Sequence, residues 1–441
     1  MLSTPTNQAP HAPSGWVRRL VAVEPAELSA LLWSFAYFFL LLCSYYILRP
    51  LRDEMGIAGG VQHLPWVFTG TFVVMLAAVP LFGFFAARFT RRKLLPVVYY
   101  FFAASLLLFY ALFQAGEYHA VTARAFFIWT SVLNLFVVSV FWSFMVDLYT
   151  NAQARRLFGC IAAGGSAGAI AGPLITATLA VSLGPVNLLL VSCALMLAAV
   201  FCIHRLVRWA QATPRTDADA PEAERPLGGS MWAGLALVLR TPYLLGIGLF
   251  IWLFTTLSTF LYFEQAHIVS TTYSDPAQRT TLFAFIDLGV NVLTIGTQVL
   301  LTGRLLQWLG VPLTLALVPL LTAVGFIALG VAPVLPVLVA FQIARRAGDY
   351  AVMRPAREIL FTVVGRETKY KAKNFIDTVV YRGGDAISGW VFAGLKALGL
   401  GLTGIAMVAV PIALAWAFVG YVLGRRQEVL RAALPPAEHV E

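Results

Sequence analysis

Apolar runs of about 20 residues recur from one end of the chain to the other, separated by short polar stretches. A run of this length crosses the hydrocarbon core of a bilayer as a single helix. Because twelve runs are long enough, the pattern predicts an all-α polytopic membrane protein with twelve transmembrane helices. The predicted helices span residues 28–48, 64–86, 94–114, 122–147, 158–181, 185–207, 241–263, 281–301, 311–331, 334–358, 374–396 and 401–423.

A polar segment that contains several prolines, residues 208–240, interrupts the apolar pattern after the sixth helix. It divides the chain into two predicted six-helix bundles, 28–207 and 241–423. The tails, 1–27 and 424–441, are polar. This organisation is typical of two packed bundles that are joined by a linker.

Basic residues mark one side of the predicted membrane domain. The connections at 88–93 and 366–373 are rich in Lys and Arg, whereas Glu264, Asp275 and Arg279 give the predicted connection between helices 7 and 8 a net acidic charge. Cytoplasmic loops collect Lys and Arg. We therefore predict that the linker and both termini are cytoplasmic, in the inner membrane of a bacterium.

The composition agrees with a membrane protein. The chain is 59% hydrophobic and 12% charged, with a mean hydropathy of +0.80, whereas a soluble domain carries about 25% charged residues. The net charge of +10 is explained by basic loops, so no nucleic-acid partner is predicted. The four cysteines form no CxxC pair or Cys/His cluster, so we predict no metal, cofactor or disulfide framework.

Predicted helix 10 carries charges in the middle of an apolar stretch. Gln342, either Arg345 or Arg346, and Asp349 fall on one helical face, and Arg345 lies roughly 16 Å from the start of the helix at 1.5 Å per residue. A charge in hydrocarbon costs roughly 2.5–3.5 kcal/mol, so such residues face water, a partner or a substrate. Guanidinium groups suit phosphate and carboxylate. A self-paired Arg–Asp cluster that holds helices together is the alternative interpretation.

Other polar residues extend this candidate site. We predict that Arg382 and the aromatic residues Tyr45, Tyr46 and Trp142 also contact the substrate, and that Asp287 is a possible proton site or the partner of an arginine. A second group of residues is predicted to form ion pairs or gates. This group is Arg49, Arg52, Asp53, Glu54, Asp147, Arg155, Asp349, Glu358, Asp377 and Asp385.

The two halves of the chain show weak internal similarity. Asp147 at the end of helix 4 is followed eight residues later by Arg155, and Glu358 at the end of helix 10 is followed eight residues later by Arg366. A Gly-Gly pair follows each arginine, at 164–165 and 383–384. Parallel six-helix repeats with a site at their interface characterise the major-facilitator fold, in which helices 1, 4, 7 and 10 are expected to line the central cavity.

Three groups of motifs resemble the bacterial and plastid ATP/ADP translocases. These are YYILRPLRDE at 45–54, FWSFMVDL at 141–148 with RLFG at 156–159, and KYKAKNFIDT at 369–378 with YRGGD at 381–385. The chain is identified as a divergent, shorter member of that family. The resemblance implies nucleotide exchange through a major-facilitator-like fold, as members in plastids and intracellular parasites swap external ATP for internal ADP.

The sequence therefore favours a secondary transporter over an enzyme: a monomeric nucleotide antiporter of the ATP/ADP type with an arginine-lined cavity. Its substrate is a small anionic solute, and its surroundings are a lipid bilayer. Two alternatives stay open. One is proton-coupled transport of another organic anion, and the other is a non-transporting membrane partner or sensor.

Overall fold

The computed structural model describes residues 23–25, 27–88, 91–116, 119–212 and 231–433. Most of the predicted tail 1–27 and of the linker 208–240 lies outside these residues, as does the end of the tail 424–441. Within the described ranges the chain is helical and contains no strand.

Twelve long helices in the described residues follow the predicted order. Within each half of the chain the connections are short, so consecutive helices alternate in direction. They are α1 (Leu28–Ala58), α2 (Leu64–Arg88), α3 (Arg91–Ala115), α4 (His119–Leu148), α5 (Asn151–Leu183), α6 (Leu188–Ala212), α7 (Pro242–Thr272), α8 (Pro276–Leu300), α9 (Thr302–Val331), α10 (335–360), α11 (366–397) and α12 (Leu402–Ala432). A short helix, Met231–Arg240, precedes α7.

Ten of the described helices are long and apolar enough to cross a membrane, and the other two are α10 and α11. Both of these are interrupted by one π-helical turn, at Asp349–Met353 in α10 and at Ile376–Val380 in α11. A π turn adds one residue to the helical turn and changes the direction of the side chains that follow, and such turns are frequent at functional sites. The two helices that carry the most internal charge are thus also the two that contain a π turn, whereas α9 is kinked at Gly310, where φ is 68°.

Several helices extend well beyond their predicted ends. The prediction that α1 breaks before Pro50 was wrong, because the helix continues through this buried proline to Ala58. Glu264 and Arg279 were assigned to a connection, yet they lie inside α7 and α8. Arg279 is neutralised there by Glu54, whereas Glu264 is buried without a hydrogen-bond donor among the described residues.

Two large clusters of buried apolar side chains form separate cores. One is built from residues 30–206, the other mainly from residues 238–423. We call α1–α6 the first bundle and α7–α12 the second bundle. The face where α1 begins and α12 ends is the terminal face, and the other end of the bundles is the opposite face.

Candidate functional site: a charged cavity between the bundles

A cavity of about 860 Å³ lies between the two bundles. Its walls come from α1, α2, α4 and α5 of the first bundle and from α7, α8, α10 and α11 of the second bundle. The cavity is therefore lined by α1, α4, α7 and α10, as expected from the fold, and also by α2, α5, α8 and α11. The second set contains equivalent helices of the two halves. A cavity of this volume is in the range that holds a drug-sized organic molecule.

The cavity wall carries more positive than negative charge. Among the described residues that line it there are seven arginines and four aspartates, an excess of three positive charges. The arginines are Arg49, Arg52, Arg345, Arg346, Arg354, Arg357 and Arg382. The aspartates are Asp53, Asp349, Asp377 and Asp385. Planar guanidinium groups bind carboxylate and phosphate oxygens, so this wall is suited to an anion.

Asp287 on α8 is the shared counter-ion of two arginines from different bundles. Its Oδ1 atom accepts a hydrogen bond from Arg346 Nη2 on α10 at 2.6 Å, and Arg49 Nη1 on α1 lies 3.6 Å from the same oxygen. The Asp287 side chain is 1% exposed, and no donor in the described residues reaches its Oδ2 atom. The residue thus links the bundles electrostatically, just behind the cavity wall.

Arg345 is buried at the cavity wall and has no carboxylate partner among the described residues. Its Nη1 donates to Ser258 Oγ at 2.7 Å, and its Nη2 lies 3.5 Å from Gln342 Oε1. Gln342 in turn donates to Gln265 Oε1 at 2.6 Å. The Nε of Arg345 has no acceptor in the described chain. Its positive charge is therefore held in place by neutral groups alone, which leaves it available to an anion.

The remaining charges pair along α10 and α11. Arg382 Nη1 lies 3.5 Å from Asp385 Oδ2, and Arg357 Nη2 lies 3.6 Å from Asp377 Oδ1. Asp349 and Asp377 occupy the two π turns, as does Tyr350, so the irregular turns deliver polar groups to the cavity.

Asp349 is bound by an arginine further along its own helix. Arg354 Nε donates to Asp349 Oδ2 at 3.2 Å, and its guanidinium lies 4.4 Å from the centre of the Tyr350 ring. The sequence predicts Asp349 on one face with Arg345 or Arg346, and all three residues line the cavity. Its counter-ion, however, comes from beyond the π turn.

The bundles meet tightly at the opposite face. Glu54 of α1 is fully buried and contacts Arg279 of α8 through two pairs of atoms, Oε1–Nη2 at 2.9 Å and Oε2–Nε at 2.8 Å. Tyr262 donates to Asp53 Oδ1 at 3.1 Å, and the rings of Trp66 and Trp390 meet edge-on at 4.8 Å. These contacts between the two bundles close the cavity on that face.

Cavity residues nearer the terminal face remain accessible to solvent. The side chain of Arg354 is 47% exposed and that of Asp377 is 36% exposed. The cavity is therefore closed on the opposite face and reached from the terminal face.

Six residues assigned to the site by sequence do not line the cavity, and two of them are the buried carboxylates Asp287 and Glu54 described above. Trp142 packs between Phe38 and Phe158, because its side chain points into the first bundle. Glu358 binds Lys373 at 2.6 Å. The other two, Asp147 and Arg155, flank the short connection from α4 to α5.

Arg155, which is exposed, is not the residue that ties the start of α5 to α1. That contact is made by its neighbour Arg156, whose Nη2 donates to Glu27 Oε1 at 2.9 Å.

Sequence reasoning missed the polar face of α7. Ser258, Thr259, Tyr262 and Gln265 all line the cavity and recur at helical spacing within an apolar helix. The same spacing is present in α8, where Asp287, Asn291, Thr294 and Gln298 form a polar face, so the sequence of α7 could have indicated it. Glu264 was also missed. It is fully buried in the second bundle, and neither of its carboxylate oxygens has a donor among the described residues.

Comparisons with known proteins agree with this architecture. Residues 28–345 match the model of the Major Facilitator Superfamily. No curated protein sequence matches the chain.

Among solved structures, the POT family transporter PepTSo is 14% identical with a TM-score of 0.63, over 90% of this chain and 98% of that one. The nucleoside transporter NupG is 12% identical with a TM-score of 0.59, over 93% and 100%. A bacterial homolog of the human lysosomal transporter Spinster, inward-facing and unoccupied, is 12% identical with a TM-score of 0.57, over 94% and 100%. At such identities the likeness shows the fold. With the family model matched over most of its length, the chain belongs to the Major Facilitator Superfamily.

Proposed function

We propose that this major-facilitator transporter exchanges nucleotides across the inner membrane of a bacterium, as a monomer with both termini in the cytoplasm. The motifs that resemble the ATP/ADP translocases support the substrate class. The excess of arginine in the cavity supports an anionic cargo, and Arg345 is the single observation that carries this proposal. A buried guanidinium group without a carboxylate partner is an incomplete ion pair, which an anionic substrate completes.

The position of the cavity supports alternating access. It lies between two bundles that are joined at the opposite face by ion pairs and aromatic contacts. If the bundles rock about the bound substrate, these contacts open and the terminal face closes. Asp287, Asp349 and Asp385 remain near the arginines when the substrate leaves, so the empty cavity keeps part of its charge compensated.

Exchange is tested with purified protein in proteoliposomes that are loaded with ADP, with labelled ATP outside. Uptake that depends on internal ADP is the expected result, and an empty lumen is the control. We expect Arg345→Ala and Arg346→Ala to lower uptake at limiting substrate by about tenfold to a hundredfold, because each loses a charge-assisted hydrogen bond of about 1.5–3 kcal/mol. Arg425→Ala is the matched control, since Arg425 is exposed at the end of α12.

Two outcomes would contradict the proposal. Uptake of ATP that is the same with an empty lumen would exclude exchange. Full activity of both Arg345→Ala and Arg346→Ala would exclude their contact with the cargo.

Proton-coupled transport of an organic anion is the second candidate. Glu264 favours it, because a fully buried carboxyl without a hydrogen-bond donor is an unusual group in a bundle interior. Uptake that collapses with a protonophore, while internal ADP has no effect, would support this candidate over exchange.

A further inference from the structure

The two bundles contribute unlike surfaces to the cavity. The second bundle supplies five of the seven lining arginines and three of the four lining aspartates. The first bundle supplies charge only through Arg49, Arg52 and Asp53, which lie on the part of α1 near the opposite face. The rest of its wall is uncharged and includes Leu42, Tyr45, Asn134 and Ser166. A ligand that fills the cavity therefore meets a mostly charged wall on the second bundle and, away from Arg49, Arg52 and Asp53, a neutral wall on the first.

The packing of α1 against α4 shows which neutral groups lie together. Phe38 stacks on Phe141 with ring centres 4.0 Å apart, and Arg52 lies 4.1 Å from the centre of the Phe127 ring. From the first contact to the second, α1 advances by fourteen residues and α4 goes back by fourteen residues. The two helices are therefore antiparallel, and their register is the same at both contacts. Seven residues are close to two helical turns. Halfway between the contacts, at the same level and on the same faces, are Tyr45 and Asn134.

The Asn134 side chain has unused hydrogen-bonding capacity. An amide offers two donors and one acceptor with two lone pairs, and the Asn134 side chain makes no hydrogen bond to the described residues. Asn134 lines the cavity and is only partly buried, so a ligand can reach it. By this register the aromatic ring of Tyr45, which also lines the cavity, lies at the level of this amide. An aromatic face next to an amide is the combination that recognises a nucleobase by stacking and by hydrogen bonds to its edge.

We infer that Asn134, together with Tyr45, binds the base of a nucleoside phosphate while the arginines of the second bundle bind its phosphates. This inference rests on the proposed function and names the residue that sets its specificity. One substrate molecule then contacts both bundles at once. Pyrophosphate lacks the base and engages only the arginine wall, and adenosine lacks the phosphates and engages only the Asn134 side.

The test measures binding of labelled ADP and of labelled pyrophosphate to the purified full chain. Asn134→Leu keeps the size of the side chain and removes its hydrogen bonds. We expect it to weaken ADP binding by about tenfold or more, because a base-reading amide contributes that discrimination, and to leave pyrophosphate binding unchanged. Asn134→Gln keeps the amide and should retain part of the ADP affinity. Ser139→Leu, at an exposed position of the same helix, is the matched control.

Each outcome separates this inference from the proposed function. Equal weakening of ADP and pyrophosphate by Asn134→Leu would mean that the variant disturbs the whole cavity, and unchanged ADP binding would mean that Asn134 does not touch the base; either result overturns the inference. If wild-type protein binds pyrophosphate as tightly as ADP, the anion site stands and base recognition is refuted. If wild-type protein binds neither ligand, the proposed function falls as well.

Discussion

At the scale of single residues, Asp287 is a buried charge that pairs with arginines of both bundles. It is almost fully buried, and one of its oxygens is shared by Arg49 of the first bundle and Arg346 of the second. A substrate phosphate would compete for these same guanidinium groups. On the proposed function, Asp287 would act as an internal anion that pairs with these arginines while the cavity is empty.

Replacing Asp287 by Asn should therefore destabilise the empty protein and increase its response to ligand. Removing one partner of a buried ion pair costs about 3–5 kcal/mol, because the remaining charges are left uncompensated. We expect a lower Tm without ligand and a larger rise in Tm with saturating ADP than in wild-type protein. Glu428→Gln, which breaks an exposed pair with Arg425, is the control. An unchanged Tm of the ligand-free variant would refute this role.

For Glu264, in contrast to Asp287, we expect that removing the charge does not destabilise the protein. Its carboxyl group lies inside the second bundle with no donor among the described residues, so the neutral acid is the form that this site accommodates. Glu264→Gln replaces it by a neutral group of the same shape, and we expect the Tm and the exchange rate to stay close to wild type. Loss of exchange in a well-folded Glu264→Gln protein would instead assign the residue to proton coupling.

At the scale of helices, α5 positions α1 through a face of glycines. Gly164, Gly168 and Gly172 lie against backbone oxygens of α1, and a methyl group at Gly168 would collide with the carbonyl oxygen of Phe39. Small residues at four-residue spacing allow two helices to approach this closely in a membrane. The contact fixes the part of α1 that carries Tyr45, Tyr46 and Arg49 to the cavity.

Gly168→Ala should separate these helices. We expect a loss of about 1–3 kcal/mol of stability from overpacking, together with weaker ADP binding because the cavity residues of α1 move. Gly159→Ala, on the same helix, is the matched control, because no atom lies within 4 Å of the added methyl group. The measurements are Tm and ADP affinity. Equal behaviour of the two alanine variants would show that the glycine face does not set the helix position.

The sequence indicated the helices better than their ends. Apolar length alone predicts twelve spans, and the glycine spacing of α5 predicts a close contact. Charged residues, however, were taken as loop signals at Glu54, Glu264 and Arg279, because charge normally marks the end of a span. In the folded protein Glu54 and Arg279 neutralise each other between helices, so both helices continue. Such partners come from distant parts of the chain, and local pattern cannot reveal them.

At the scale of the whole molecule, the described conformation has the form expected of one half of an alternating-access cycle. The bundles are joined at the opposite face, and the charged cavity between them is reached from the terminal face. The pairs Glu54–Arg279 and Asp53–Tyr262 cross between the bundles at the joined end. A transporter that alternates must break them, so their strength sets how often the opposite face opens.

Weakening the buried Glu54–Arg279 pair should shift the population toward the form that is open at the opposite face. Glu54→Gln keeps the shape of the side chain and removes its charge, so closure loses its ion pair while the packing is conserved. Gln62 and Ser274 are exposed just after the ends of α1 and α7, at the opposite face. Spin labels at these two positions report the distance between the bundles there. We expect a longer-distance component in Glu54→Gln that is absent or minor in wild-type protein, with Glu428→Gln as the charge-loss control. If the distance distribution of Glu54→Gln equals that of wild type, closure does not depend on this pair, and the aromatic contact of Trp66 with Trp390 becomes the element that holds the face shut.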